Sequence, residues 1–246
     1  MSIKSKVIAA AATLTLVGGV GAVSTLSASA ATPSCGPACI NLFSRDFGTF
    51  KSPNFTADVF RQGAKVGQPI ILFKTSNSDP ALDWTVSFQG NVSDFCGAGI
   101  ITGFTCYRWG TPTGSSAAIT ADLPAFEIEY APFGVESGLC MGVATTAFQG
   151  EGVTLAPCGV TAKTVWIGDS LDNPFSHYVP LINGSNTNFS HPYVLTYPNN
   201  GYPTDKPRPQ LQVRNLTGFS QPGTVLWVIS SVSSNQLWSA RFGVLR

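Results

Sequence analysis

Apolar and polar positions alternate in short bursts along most of the chain. The apolar-rich runs are Cys39–Phe43, Phe55–Phe60, Pro69–Phe73, Trp84–Phe88, Phe126–Tyr130, Val153–Leu155, Thr164–Ile167, Tyr193–Tyr197, Leu211–Val213 and Thr224–Ile229. Gly, Pro, Asn and Ser separate them, and no useful stretch carries the i, i+3, i+4, i+7 spacing of an amphipathic helix. Short strands with turn residues between them predict an all-β sandwich or barrel. The N-terminus departs from this pattern. Lys4 and Lys6 precede an apolar run, Val7 to Val23, and Ala28-Ser29-Ala30 follows. A basic start, an apolar middle and an A-x-A end describe a secretory signal over residues 1–30. Gly18, Gly19 and Gly21 interrupt the run, which suits cleavage better than a membrane anchor.

The order of the runs repeats. Phe55 and Leu72 are 17 positions apart, and Leu139 and Leu155 are 16 apart; Trp84 and Trp166 then follow after 12 and 11. A looser third copy runs through Tyr193–Tyr197, Leu211–Val213 and Trp227. The C-terminal Asn235-Gln236-Leu237-Trp238 offers a rival third tryptophan, but the 25 positions from Val213 to Trp238 are about twice the interval of the other units. Trp227 is therefore expected in that role, with Trp238 on a following strand. The units fall at about 39–95, 126–171 and 178–246, with an insertion at about 96–124. Units of this kind cannot bury their apolar faces alone, so three should close around one axis. In the alignment Cys140 and Cys158 stand opposite Thr56 and Thr75, and near Val194 and Leu216. A pair of positions that changes together suits contact across neighbouring strands, which predicts a Cys140–Cys158 disulfide.

Composition narrows the picture further. Removing residues 1–30 leaves 216, a size that buries roughly 70% of the unfolded chain's surface in one all-β domain, 31–246. Loss of Lys4 and Lys6 turns the formal charge of +1 into −1. So few charges leave no electrostatic footprint for nucleic acid, and no second apolar run approaches membrane length. All six cysteines lie after the leader. An even count in an exported chain reads as disulfides; no C-x-x-C or His pair supports zinc, and no metal or cofactor is expected. Locality predicts Cys35–Cys39 and Cys96–Cys106.

Leu139-Cys140-x-x-Val143, Val153-x-Leu155-x-x-Cys158 and Trp166 resemble a repeat of the ricin-type β-trefoil lectins, whose pattern runs C-L-D-V, V-Q-L-x-x-C and Q-x-W. The resemblance covers most of the chain after the leader, by spacing more than by identity, and implies a β-trefoil of three four-stranded repeats. The alanine-rich leader looks like that of a high-GC bacterium, so the five N-x-[ST] sequons are read as incidental. In that family an Asp, an aromatic ring and an Asn or Gln before the tryptophan hold a sugar. Carried over, Asp58 takes the Asp position and Phe73 the aromatic one, with Asp83 just before Trp84, while Ile71, Ala81 and Leu82 replace polar groups. In the second unit Gly142, Ala156 and Thr164 stand at the three positions, which implies a dead site. The third unit has Thr196 and Arg214.

Each candidate carries two readings. Asp58 is a sugar acceptor or a strand-end turn residue. Phe73 is a stacking platform or the end of a buried run. Trp109, with Tyr107 and Arg108 in the insertion, is a binding hot spot or a pin for the loop. Asn199–Pro209 either presents Tyr202, Lys206 and Arg208 to a partner or is a rigid connection. His177 and His191 have no catalytic partners at motif spacing. Glu127 and Glu129 share a strand face, as a carboxylate pair or as a solvated edge. The expected function is secreted, extracellular, non-catalytic binding of a carbohydrate or glycoconjugate around Asp58 and Phe73. The alternatives are an extracellular protein partner held through the insertion loops, and a glycoside hydrolase using Glu127 or Glu129.

Overall fold

The computed structural model describes residues 39–49, 52–76, 79–102, 123–159, 161–168, 178–185, 192–198, 203–205, 208–217 and 232–242. All lie within the unit Thr32–Arg246. The strands are β1 (Cys39–Ser44), β2 (Gly48–Thr49), β3 (Ser52–Pro53), β4 (Phe55–Val59), β5 (Ile70–Lys74), β6 (Trp84–Asn91), β7 (Pro124–Tyr130), β8 (Leu139–Val143), β9 (Glu151–Pro157), β10 (Val165–Gly168), β11 (Leu181–Asn183), β12 (Tyr193–Thr196), β13 (Gln212–Asn215) and β14 (Trp238–Phe242). Nearly every run read as β-rich is thus a strand. Thr224–Ile229 lies outside the described residues. No helix among the described residues is long and apolar enough to cross a membrane.

The pairings form a barrel-like sheet. β1 pairs with both β6 and β14, β6 with β7, β7 with β10 and β10 with β11, all antiparallel. A bridge from Val179, just before β11, to Trp238 brings the two ends together. Closure leaves no free edge along these strands.

Three hairpins hang from this ring in one common register. Thr56↔Phe73, Ala57↔Leu72 and Asp58↔Ile71 pair in β4–β5. Cys140↔Ala156, Met141↔Leu155 and Gly142↔Thr154 pair in β8–β9. Val194↔Arg214, Leu195↔Val213 and Thr196↔Gln212 pair in β12–β13. The hairpins meet through Pro69↔Thr154, Gly152↔Gln212 and Gln210↔Ile71, which occupy matching places in the three copies.

Each hairpin is locked to the ring by one tryptophan. Trp84 Nε1 donates to Ala57 O (3.0 Å), Trp166 Nε1 to Met141 O (2.9 Å) and Trp238 Nε1 to Leu195 O (2.7 Å). All three rings are fully buried, so each indole N–H needs this acceptor. The third-unit tryptophan is therefore Trp238, not Trp227. The long interval after Val213 is accommodated because its ends are pinched. Thr217 Oγ1 meets Ser233 Oγ at 2.9 Å, and Gln236 Oε1 accepts from Thr217 N and Oγ1, both at 2.8 Å. A loop closed at its base can lengthen at small entropic cost without disturbing the register.

Two further expectations need correction. β6 continues to Asn91, opposite Pro124, and Val92 N donates to Leu123 O (3.0 Å). The insertion thus leaves the sheet at Val92 rather than Cys96. It opens with α1 (Val92–Gly97), which the apolar spacing does not predict. The helix is too short for periodicity to show, but its start is signalled by Asn91 and Asp94: Asn91 N donates to Asp94 Oδ2 (2.8 Å). Phe95 is a buried residue of this helix.

Cys140 and Cys158 form the expected disulfide, with Cα atoms 5.0 Å apart. Cys39 and Cys96 are disulfide-bonded as well. Cys35 and Cys106 lie outside the described residues.

Candidate functional site

The register of β4–β5 sets Asp58 opposite Ile71 and puts Phe73 two residues further along β5, on the same face. Both line one open cavity of about 250 Å³. The segment after β4 forms one rim, with Phe60, Arg61 and Gln62. The 3₁₀ turn Pro80–Leu82 forms another, with Asp79 and Ala81, and Arg208 closes a third side. Arg61 and Gln62 both have positive φ, 59° and 56°. Two successive non-glycine residues in this region store backbone strain, which collects at binding sites.

Asp79 acts as the N-cap of its turn. Its Oδ1 accepts from Ala81 N (3.0 Å), and Pro80 follows at the first position. The same oxygen accepts from Gln62 Nε2 (3.1 Å), tying two rims together. The Asp79-Pro80 pair is the sequence signal for this rim.

Asp58 is only 4% exposed. No side chain among the described residues donates a hydrogen bond to its carboxyl. Burial, and after it the Asp79 carboxylate, push Asp58 up to about 8 from an ordinary 3.8, against a downward pull from Arg208. At neutral pH the group is a protonated acid, able to donate one hydrogen bond and accept another. Behind it the Tyr130 phenol is also pushed up, first by burial and then by Asp58.

Phe73 is half-buried, and its ring is not bare. The Arg208 guanidinium carbon lies 4.3 Å from the ring centroid. Arg208 comes from the proline-rich segment read either as presenting Tyr202, Lys206 and Arg208 to a partner or as a rigid connection, 135 positions after Phe73. The backbone explains the reach. Gln210 bridges to Ile71, Leu211 N donates to Ile70 O (2.8 Å) and Gln210 Nε2 to Val153 O (2.9 Å). No local pattern announces such a contact between distant units.

Asp83 does not join the cavity. It is 1% exposed, and its Oδ2 accepts from Phe133 N (3.0 Å), which holds the turn after β7. Phe133 has φ 56°, so this bond secures a strained backbone. The Asp83 position is thus structural. Trp109 lies outside the described residues, as do Tyr107, Arg108, His177, His191, Tyr202 and Lys206.

The carboxylate pair on β7 is committed elsewhere. Glu127 takes Gly159 N on both oxygens (2.9 Å each) and the Thr164 hydroxyl. Glu129 Oε1 accepts from Gly138 N (2.7 Å). Both are buried, so neither the solvated edge nor an open acid–base pair describes them. They fasten the two ends of the β8–β9 hairpin. Glu127 also lies close to both cysteine sulfurs, but these are bonded to each other and offer no thiolate to a metal.

No family model matches the chain, and no curated protein matches it. Among solved structures it is similar to the designed three-fold symmetric protein ThreeFoil, at 12% identity over 83% of this chain and 98% of that one, with a TM-score of 0.49. It is similar to the Rhizoctonia solani agglutinin at 13% identity over 84% and 96%, with a TM-score of 0.46. It is also similar to an exo-β-1,3-galactanase from Clostridium thermocellum at 11% identity and a TM-score of 0.48, covering 83% of this chain but 30% of that one.

Proposed function

We propose that the chain is a secreted, non-catalytic β-trefoil of three four-stranded repeats that binds carbohydrate in the cavity of its first unit. The trefoil reading is supported by the shared register of the three hairpins and by the three equivalent tryptophan bonds. One observation carries the functional reading. Asp58 and Phe73, on adjacent strands, line the same open cavity, while at the equivalents of Asp58 a Cβ on Gly142 would meet Lys163 O and Thr196 is bonded by Gln236. A hydrogen-bonding carboxyl beside an aromatic ring suits a sugar, which offers hydroxyls on its rim and C–H groups on its face.

A glycan array followed by titration tests this. Binding should weaken at least about tenfold in Asp58→Ala and in Phe73→Ala, in line with a lost buried hydrogen bond or a lost ring contact. Glycan binding that survives both substitutions in folded protein would place the site elsewhere.

A second reading, contact with an extracellular protein, is favoured by Phe88. This residue sits at a bulge in β6 with φ 45° and 59% exposure, its ring edge-on to Phe95 at the base of the insertion. Capture of a secreted protein that Phe88→Ser abolishes, with no glycan bound, would favour it.

A further inference from the structure

We propose that the first-unit cavity selects saccharides bearing a carboxylate, with the Arg208 guanidinium as the group that receives it. The inference rests on the reading of this cavity as a carbohydrate site and goes beyond it by naming the ligand class.

The argument starts from the ring. A guanidinium lying on an aromatic face is held by one side, and its N–H donors lie in the plane of the group. Stacked at 4.3 Å on Phe73, Arg208 leaves those edges for the cavity it lines. No carboxylate among the described residues takes them in an ion pair. Asp79, the other acid on the wall, already accepts from Ala81 N and Gln62 Nε2. A planar fork of unpaired donors is the partner a carboxylate fits, two parallel bonds at once.

Charge on the walls points the same way. Around neutral pH Asp58 is protonated, which leaves Arg61 and Arg208 against Asp79. Arg61 is likewise laid on a ring, 5.1 Å from the Phe60 centroid. A neutral sugar, by contrast, must share the Phe73 face with a guanidinium already seated there. The anchors at Gln210 and Leu211 fix the backbone behind Arg208, so the group is preorganised rather than recruited from solvent.

The charged and titratable groups facing Asp58 are Asp79 from the turn after β5, Arg208 from the segment before β13, and Tyr130 from β7. Tyr130 stays neutral as Asp58 ionises. Raising the pH through about 8 therefore adds a negative charge to the cavity.

Paired methyl glycosides test the proposal: each neutral hexose against its uronate, with sialylated glycans and acetate alone as separate arms, by titration calorimetry at pH 6.5. Expected is at least tenfold tighter binding of the acid form. That advantage should disappear in Arg208→Ala, fall partway in Arg208→Lys, shrink in 0.5 M salt and decline from pH 6.5 to 9. Neutral-sugar affinity should stay the same or rise in Arg208→Ala. Uronate, sialate and acetate arms identify which source of carboxylate the site accepts. Equal binding of neutral and acidic forms, or an acid preference unchanged in Arg208→Ala, overturns this proposal and leaves the carbohydrate site standing. No binding of any saccharide overturns both.

Discussion

The hairpins β4–β5 and β8–β9 share one register, yet one opens a cavity and the other closes it. At the position of Asp58 the second hairpin has Gly142. A Cβ there would lie 2.8 Å from Lys163 O and 3.0 Å from Thr164 Cγ2. The space that the first unit leaves for a ligand is filled in the second by the 163–164 backbone. Thr164, at the clamp position, spends its hydroxyl on Glu127. In the third unit Gln236 lies over the equivalent strand position, where its Nε2 donates to Thr196 Oγ1 (3.2 Å) and to Asn215 O (2.9 Å). The three copies keep their tryptophan locks and differ in what lies over the strand. Architecture and binding capacity are thus separable features of the same repeat.

The strongest challenge to that contrast is to move the first unit's residue into the second. Gly142→Asp places a side chain against fixed backbone and buries a carboxyl near Glu127. Overpacking and an unpaired buried charge together should cost about 4 kcal/mol or more, read as a fall in the urea midpoint. A variant of native stability would show that the second site is only vacant, not filled. The reverse experiment, Asp58→Asn, should stabilise the protein. The folded pKa of about 8 lies above the ordinary 3.8, so the native state holds a proton that the unfolded chain releases between those values. Stability of the native chain is full below about pH 4 and declines as pH rises toward 8. The amide never ionises, so the variant should gain up to about 4 kcal/mol at pH 7. The two curves should converge below pH 4. Parallel curves across that range would mean that Asp58 is ionised in the folded protein.

Much of this contrast was legible in the chain, and the illegible part has a common cause. Strand positions and the Cys140–Cys158 pair follow from local spacing, because a two-residue period fixes which side chains share a face, whereas the pairing of Asp58 with Phe73 in one place is implied by the resemblance to the lectin repeat. The resemblance implies a dead second site from Gly142 and Ala156, but spacing does not reveal that Lys163 and Thr164 lie against Gly142. The long interval after Val213 favours Trp227, while the Asn235-Gln236 pair before Trp238 points the other way. That pair is what the unit uses: Asn235 Nδ2 donates to Tyr197 O (2.8 Å) and Gln236 secures the loop base. Arg208 could not be placed at all, since its contact depends on the closure of the third hairpin against the first.

A smaller effect bears on the locks themselves. Thr56 and Thr75 occupy the places of Cys140 and Cys158. Thr56 pairs with Phe73 as Cys140 pairs with Ala156, and Thr75 N donates to Asn54 O (2.9 Å) as Cys158 N donates to Gly138 O (3.1 Å). Both threonine hydroxyls are buried without a hydrogen-bond partner among the described residues, so losing them costs little. The double variant Thr56→Cys, Thr75→Cys should form a disulfide on oxidation and gain about 3 kcal/mol, from a loop close in length to the 18-residue separation of Cys140 and Cys158. Two free thiols by mass after oxidation would mean that the cavity-bearing hairpin departs from its twin at this point.

The smallest effect tests whether the three locks are equal. Trp84→Phe, Trp166→Phe and Trp238→Phe each remove an indole N–H and leave one carbonyl, of Ala57, Met141 or Leu195, without its side-chain donor. Each should cost about 1–3 kcal/mol from the unpaired group, with a further loss from the smaller ring. Because the acceptor, burial and register match, the three costs should agree within about 1 kcal/mol in thermal or urea unfolding. Trp84 adds one distinction. Its ring lies 5.7 Å from that of Tyr130, whose phenol is tied electrostatically to Asp58. A change at Trp84 can therefore disturb the cavity as well as the barrel. If Trp84→Phe lowers ligand affinity while Trp166→Phe and Trp238→Phe leave it intact, the first unit's lock supports its site. If all three leave affinity unchanged, the tryptophans serve closure alone, and the cavity depends on β4, β5 and the Arg208 segment.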